Sequence, residues 1–249
     1  MKKVNGFVNS AKKYLVIGLA TLLPSLTNAD MGEAIRSNKP GQYQAAVTHI
    51  KTSSGVERTV IAPTLKIKGD ITDKLMYYVA GQVPYVSVGG TATSNNGTGD
   101  LYLEAGASTQ HVTDNSLTDV MLLLTGVLPT GEITGNQKQL GGYLLSTTRA
   151  GKKMIDAGVG YNHVESGNDQ LIARFTPSYQ IAENQSGRIR LGLENVAISD
   201  TDSTAISVRP IARYDTKDGI QYVLRPGVTY KDGERQNWDV TFTIRVPMK

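Results

Sequence analysis

A chain of 249 residues is long enough for one domain or one closed barrel, and the absence of any cysteine excludes disulfides, thiolate metal sites and a lipid-anchored mature N-terminus. The formal net charge of +4 resides in the first 29 residues, which hold four lysines and no acid. The rest is close to neutral and gives no reason to expect a nucleic-acid partner.

Taken in chain order, the first signal is for export. Lys2, Lys3, Lys12 and Lys13 flank and precede an apolar run at residues 14–23, which Pro24 and Ser25 break before the small residues up to Ala29. This order predicts a secretory signal over 1–29 and a mature domain over 30–249; the run is too short to span a bilayer as a helix. No later stretch approaches 18 apolar residues.

Beyond residue 40 the dominant signal has a period of two. Strands are predicted near 42–52, 57–68, 74–88, 100–110, 118–128 and 140–150, and six more follow in the C-terminal half. The clearest is the last. Trp238, Val240, Phe242 and Ile244 share one face, and Asp239, Thr241, Thr243 and Arg245 the other. Upstream, Leu171, Ala173 and Phe175 oppose Arg174 and Thr176; Ile189, Leu191 and Leu193 oppose Arg190 and Glu194; Ile206, Val208 and Ala212 oppose Arg209 and Arg213. Turn signals separate the runs, the strongest being the Asp-Gly pairs at 218–219 and 232–233.

Twelve strands of about 10–13 residues exceed the usual 5–6 of a soluble sheet and match a tilted membrane-crossing strand. The expected fold is all-β: a closed antiparallel transmembrane β-barrel of about 12 strands with up-and-down topology. Pro63, Pro177, Pro210 and Pro226 resist this expectation, because a closed barrel has no edge on which a missing N–H is harmless. They require rims, bulges or different strand boundaries; the other solution is an open soluble sandwich.

Three segments carry a family resemblance. Residues 97–106 (GTGDLYLEAG), 122–132 (LLLTGVLPTGE) and the pair 71–75 (ITDKL) with 83–85 (VPY) resemble, in order, motifs of the meta-pathway phenol-degradation family of outer-membrane proteins. The resemblance covers roughly residues 71–132. It implies a twelve-strand-type outer-membrane barrel that admits small hydrophobic or aromatic compounds. The chain is short for that family, and it ends in Val246-Pro-Met-Lys rather than in the aromatic residue typical of barrel C-termini.

If the apolar face meets lipid, Trp238, Val240, Phe242 and Ile244 are lipid-facing and the opposite face lines the lumen. Arg174, Arg190, Arg209, Arg213, Arg225 and Arg245 then form an inward arginine wall opposite Glu104, Asp119, Asp156, Glu194 and Asp239. Such a wall favours anions or polar groups, unless the charges pair and plug the lumen. The longest loops, 89–99 and 129–139, lie at the outer mouth and are candidates for gating. Trp238 and tyrosines 77, 78, 161, 179, 214, 222 and 230 fall at strand ends or outward positions, as interfacial girdles do.

Catalysis has little support. His163, Ser166 and Asn168 supply the residue types of an outer-membrane phospholipase but not the alternate-residue spacing that puts nucleophile and base on one face. His49, His111 and His163 have no metal-ligand spacing, and Asp200 and Asp202 read as a turn. The sequence therefore predicts no enzyme, no metal and no cofactor. It predicts a passive channel in the cell outer membrane, with membrane lipid, the barrel-insertion machinery and an unidentified small-molecule permeant as partners. The alternatives are a plugged structural or adhesive barrel and a secreted β-sandwich that binds a ligand.

Overall fold

The computed structural model describes residues 41–73, 75–90, 95–133, 138–165 and 167–248. The expected export segment 1–29 lies outside them.

Fourteen strands follow one another: β1 (Gly41–Thr52), β2 (Glu57–Thr72), β3 (Leu75–Gln82), β4 (Tyr85–Gly89), β5 (Asn95–Thr98), β6 (Leu101–Val112), β7 (Leu117–Leu128), β8 (Gln139–Ala150), β9 (Lys153–Val164), β10 (Gln170–Glu183), β11 (Gly187–Ser199), β12 (Thr204–Thr216), β13 (Gln221–Lys231) and β14 (Glu234–Pro247). Each long strand pairs antiparallel with its sequence neighbour. β1 pairs with β2 on one side and β14 on the other, which closes the sheet into a ring. The ring has twelve staves, because β3 with β4 and β5 with β6 are each one stave with a short break, near the middle of the first and toward one end of the second. The secreted sandwich is excluded: there is one closed sheet, not two packed ones.

The first interruption corrects the uniform strand expected at 74–88; the strand expected at 100–110 is the unbroken β6, and β5 lies within the stretch 89–99 expected as a loop. β2 pairs with β3 and β4 in a single register, Thr64 opposite Gln82 and Ile61 opposite Tyr85, with Val83 and Pro84 between them unpaired. Pro84 has no N–H to give the ladder, so the stave breaks there.

The four resistant prolines all fall at such gaps. Pro63 stands at the register position facing Val83, where β2 has no partner in β3 or β4. Pro177 lies where β10–β11 pairing lapses between Phe175 and Ser178. Pro210 and Pro226 face each other within the lapse of β12–β13 pairing between Val208 and Ala212. Two missing donors thus share one interruption, and the other side of each strand stays paired, Pro210 with Leu193 and Pro226 with Val240.

The Asp-Gly signals form tight turns. Asp232 and Gly233 both have positive φ (51° and 85°), the two-residue hairpin geometry, and Gly219 has φ 86°.

The burial pattern gives the ring its two faces. Along β14, Trp238, Phe242 and Val246 are exposed while Asn237, Asp239, Thr241, Thr243 and Arg245 are buried. A closed ring can bury a side chain only on its inside, so the polar set points inward. Phe242 is 41 % exposed and Leu122 on β7 58 % exposed, on a face that also carries Leu124, Leu144, Val159, Leu171 and Leu224. Such a continuous apolar exterior suits hydrocarbon rather than water.

Outward aromatics gather at two levels. Tyr43, Tyr77, Tyr179 and Tyr222 lie near the rim that carries both ends of the described chain; Tyr85, Tyr161, Tyr230 and Trp238 lie near the opposite rim. Tyr78 departs from expectation. It is 3 % exposed and points inward, because it follows the outward Tyr77 and adjacent strand residues must face opposite ways.

Candidate lumen and its charged wall

All eleven charged residues assigned to the lumen from sequence lie on the inner face. Arg190, Arg209, Arg213, Arg225, Arg245, Glu104, Asp119, Asp156, Glu194 and Asp239 are buried, and the Arg174 side chain is 9 % exposed. The four residues assigned to lipid, Trp238, Val240, Phe242 and Ile244, lie on the outer face, the second and fourth half-buried among their neighbours.

The charges are organised as ion pairs within a strand, between adjacent strands and across an intervening strand. Glu194 on β11, 0 % exposed, meets Arg174 of β10 at 3.0 Å and Arg209 of β12 at 3.8 Å. These contacts act through charge, since neither carboxylate oxygen receives a well-directed hydrogen bond. Arg209 also donates from Nε and Nη2 to the two oxygens of Asp239 on β14, at 3.1 and 3.2 Å, in the fork geometry suited to guanidinium. Nearer the rim with the termini, Asp215 gathers Arg213 at 2.7 Å and Arg188 at 3.0 Å.

Other arginines engage neutral groups as well. Arg225 donates to Thr243 Oγ1, and Arg245 to Gln44 and Gln221. On the far side of the ring, Tyr78 donates to Glu104 at 2.7 Å, Tyr102 and Tyr143 lie in the field of the same carboxylate, and Thr147 donates to Asp156.

The sequence reading missed Arg58, Lys66, Lys68 and Asp215, all buried on the inner face. Lys66 and Lys68 alternate with the outward Leu65 and Ile67, and Asp215 continues the alternation begun by Arg213, so their signal was present. Among the described residues, the buried set holds eight lysines and arginines against six carboxylates. Among the described residues the inner face is closely packed around Arg225 and Arg245, each 1 % exposed. A gap of about 20 Å³ lies among Asp156, Arg174, Arg190, Arg213 and Arg225, and one of about 10 Å³ among Gln44, Lys66, Tyr102 and Glu104.

The mouth opposite the termini has its own construction. The β7–β8 loop folds back on the interrupted staves. Glu132 and Ile133 donate backbone N–H groups to Thr98 O, Gly131 N–H to Asp100 Oδ1, and Leu101 N–H to the Thr130 hydroxyl; Gly99 N–H donates to Pro84 O. The segments 83–85, 97–100 and 128–132, picked out by resemblance, therefore meet at one place. A side chain at Gly131 would strike the Gly99 backbone, so the close approach requires glycine. Ile133, held by this clip, packs against the inward Ala46 of β1, Val60 and Ala62 of β2 and Val86 of β4.

Among the described residues, the histidine and the asparagine singled out from sequence bond to separate carboxylates. His163 Nδ1 bonds Asp169 at 2.8 Å and Asn168 donates to Asp202, while Ser166 lies outside the described residues. The Asp169 carboxyl, also bonded by the Tyr161 hydroxyl and by Val164 N–H, is held below the usual carboxylate range, chiefly by the tyrosine. Asp200 caps its own turn by accepting from Asp202 N–H and Ser203 N–H. Among the described residues no three histidines or carboxylates cluster as metal ligands.

A closed ring of twelve antiparallel staves, apolar and aromatic outside and polar inside, is the fold of an outer-membrane β-barrel. Comparison with solved structures agrees. An outer-membrane channel from Pseudomonas putida F1 superposes with a TM-score of 0.68 at 14% identity, over 88% of this chain and 100% of that one. The translocator domain of the autotransporter NalP from Neisseria meningitidis superposes with a TM-score of 0.53 at 9% identity, over 94% and 97%. The KdgM porin, in complex with disordered oligogalacturonate, gives 0.51 at 10% identity, over 83% and 99%. At these identities the likeness is one of fold. No family model matches the sequence, and no curated protein matches it.

Proposed function

We propose that the protein is a passive outer-membrane channel for small molecules, exported by the segment 1–29 and inserted with both ends of the barrel toward the periplasm. The observation that carries this reading is the reversal of faces around a closed ring: a belt of exposed leucines, isoleucines and valines between two aromatic girdles, enclosing a charged interior. The channel and porin among the structural neighbours support it. The arginine-rich wall sets the field along the path and favours anions over cations, since buried cationic groups outnumber carboxylates. Motif resemblance adds hydrophobic and aromatic compounds as the permeant class.

The tight inner packing favours a second reading, a plugged barrel with a structural or adhesive role. Outer-membrane fractionation and heat-modifiable gel mobility test the barrel. Conductance of the purified protein in planar bilayers separates the two readings: discrete anion-preferring steps support the channel, and a silent membrane supports the plug.

A further inference from the structure

The interior is not uniformly charged. Directly paired inner-face residues form a row that begins at Tyr78 on β3 and passes through Gly106, Leu123, Tyr143, Gly160 and Ile172 to Ile198 on β11. A parallel row runs Met76, Ser108, Met121, Leu145, Gly158, Arg174, Val196. Nearly all the large side chains in both rows are apolar, and they form one contiguous cluster.

Strands in a closed barrel tilt, so a row perpendicular to them climbs the wall. Tyr78 lies near the start of β3, by the rim with the termini. Ile198 is the penultimate residue of β11, at the opposite rim. The cluster is therefore a ramp from one mouth to the other. Its aromatic step lies flat: the Tyr143 ring covers Gly160 so closely that a Cβ there would collide with it. One arginine, Arg174, sits within the second row beside Val196, and its partner Glu194 links it to Arg209.

We infer that the permeant is an amphipathic organic anion, whose apolar body follows this ramp while its carboxylate passes among the arginines. The inference rests on the channel reading and refines it. Most ramp side chains are branched or aromatic with few rotatable bonds, whereas the arginines opposite them carry long flexible stems that can exchange partners. Those arginines must swing aside for any solute, and a carboxylate gives their guanidinium groups an exchange partner as they leave their own acids. A polar anion gains only the second of these contacts.

The test compares two six-carbon monocarboxylates, hexanoate and gluconate, which share charge and chain length and differ in their hydroxyl groups. Permeability ratios come from reversal potentials of the full-length protein in planar bilayers under bi-ionic conditions, each against chloride. The expected hexanoate preference is roughly ten-fold, equivalent to about 1.4 kcal/mol. In Leu123→Ser/Ile172→Ser the ratio falls toward unity. Val196→Thr, close to isosteric, lowers it in the same direction if the double variant fails to insert. Equal permeability in the wild type, or a ratio untouched by these substitutions, overturns the ramp while leaving the channel intact. Preference for hexylammonium over hexanoate overturns the choice of an anion. A bilayer silent to chloride removes the channel itself and the inference with it.

Discussion

Replacing Glu194 by glutamine removes the charge at the centre of the inner ion-pair network while keeping its volume. Glu194 has no solvent exposure and faces Arg174 at 3.0 Å and Arg209 at 3.8 Å. At an effective dielectric near 20, a pair at the shorter distance is worth about 5 kcal/mol before desolvation. Breaking one side of a buried pair generally costs about 3–5 kcal/mol, because the remaining charge stays buried. Arg209 keeps its fork with Asp239, and Arg174 loses the carboxylate it faces at the shorter distance. The expected destabilisation is therefore about 3 kcal/mol, at the lower end of that range. Urea unfolding of the lipid-refolded protein, followed by fluorescence of its single tryptophan, reads it out; with a slope of about 1–3 kcal/mol per molar, the midpoint should fall by roughly 1 M or more. The double variant Glu194→Gln/Arg174→Met should recover part of the loss, because the cation that faced the carboxylate is removed with it. A midpoint unmoved by Glu194→Gln, or a double variant no better than the single one, would refute the view that this network holds the interior together.

Four further outcomes follow from the same geometry. Leu122→Arg places a charge on the outward face in the middle of β7 and should cost about 2–4 kcal/mol in folding into lipid bilayers, whereas a neutral effect would place that face in water. Gly160→Ala pushes a methyl group into the Tyr143 ring and should destabilise by about 1–3 kcal/mol in the same unfolding assay. Ile133→Ser loosens the seat of the β7–β8 loop among Ala46, Val60, Ala62 and Val86, so single-channel conductance should rise; an unchanged conductance would show that the loop does not constrict the mouth. The depressed Asp169 carboxyl stabilises its loop at pH values above the ordinary carboxylate pKa near 4, and that contribution is lost as pH falls through the lower folded value. Protease nicking after β9 should therefore increase below about pH 4 in the wild type, and Asp169→Asn should show no such increase between about pH 6 and pH 3.

The period of two was enough to assign faces over most of the chain. From β9 to β14, residues such as Arg190, Arg209 and Phe242 could be placed inside or outside from sequence, because a strand side chain has only two directions to point and an exposed arginine on hydrocarbon is untenable. The same rule failed where both faces are apolar. Leu122, Leu123 and Leu124 show no alternation, so nothing local says that Leu123 turns inward, and the apolar ramp stayed hidden. Tyr77 and Tyr78 posed the same difficulty.

Closure and position around the ring were decided only by the tertiary structure. The prolines looked like objections because a sequence shows each missing N–H but not its partner strand; folded, Pro210 and Pro226 share one gap, and Pro63 faces the break beside Pro84. The convergence of residues 84, 98–100 and 130–133 at one mouth depends on three loops meeting, and the pairing of Arg209 with both Glu194 and Asp239 depends on register across three pairs of strands. Local alternation fixes which way a side chain points, since that is a property of one strand. What it meets there depends on strand order, tilt and register, which are properties of the closed ring.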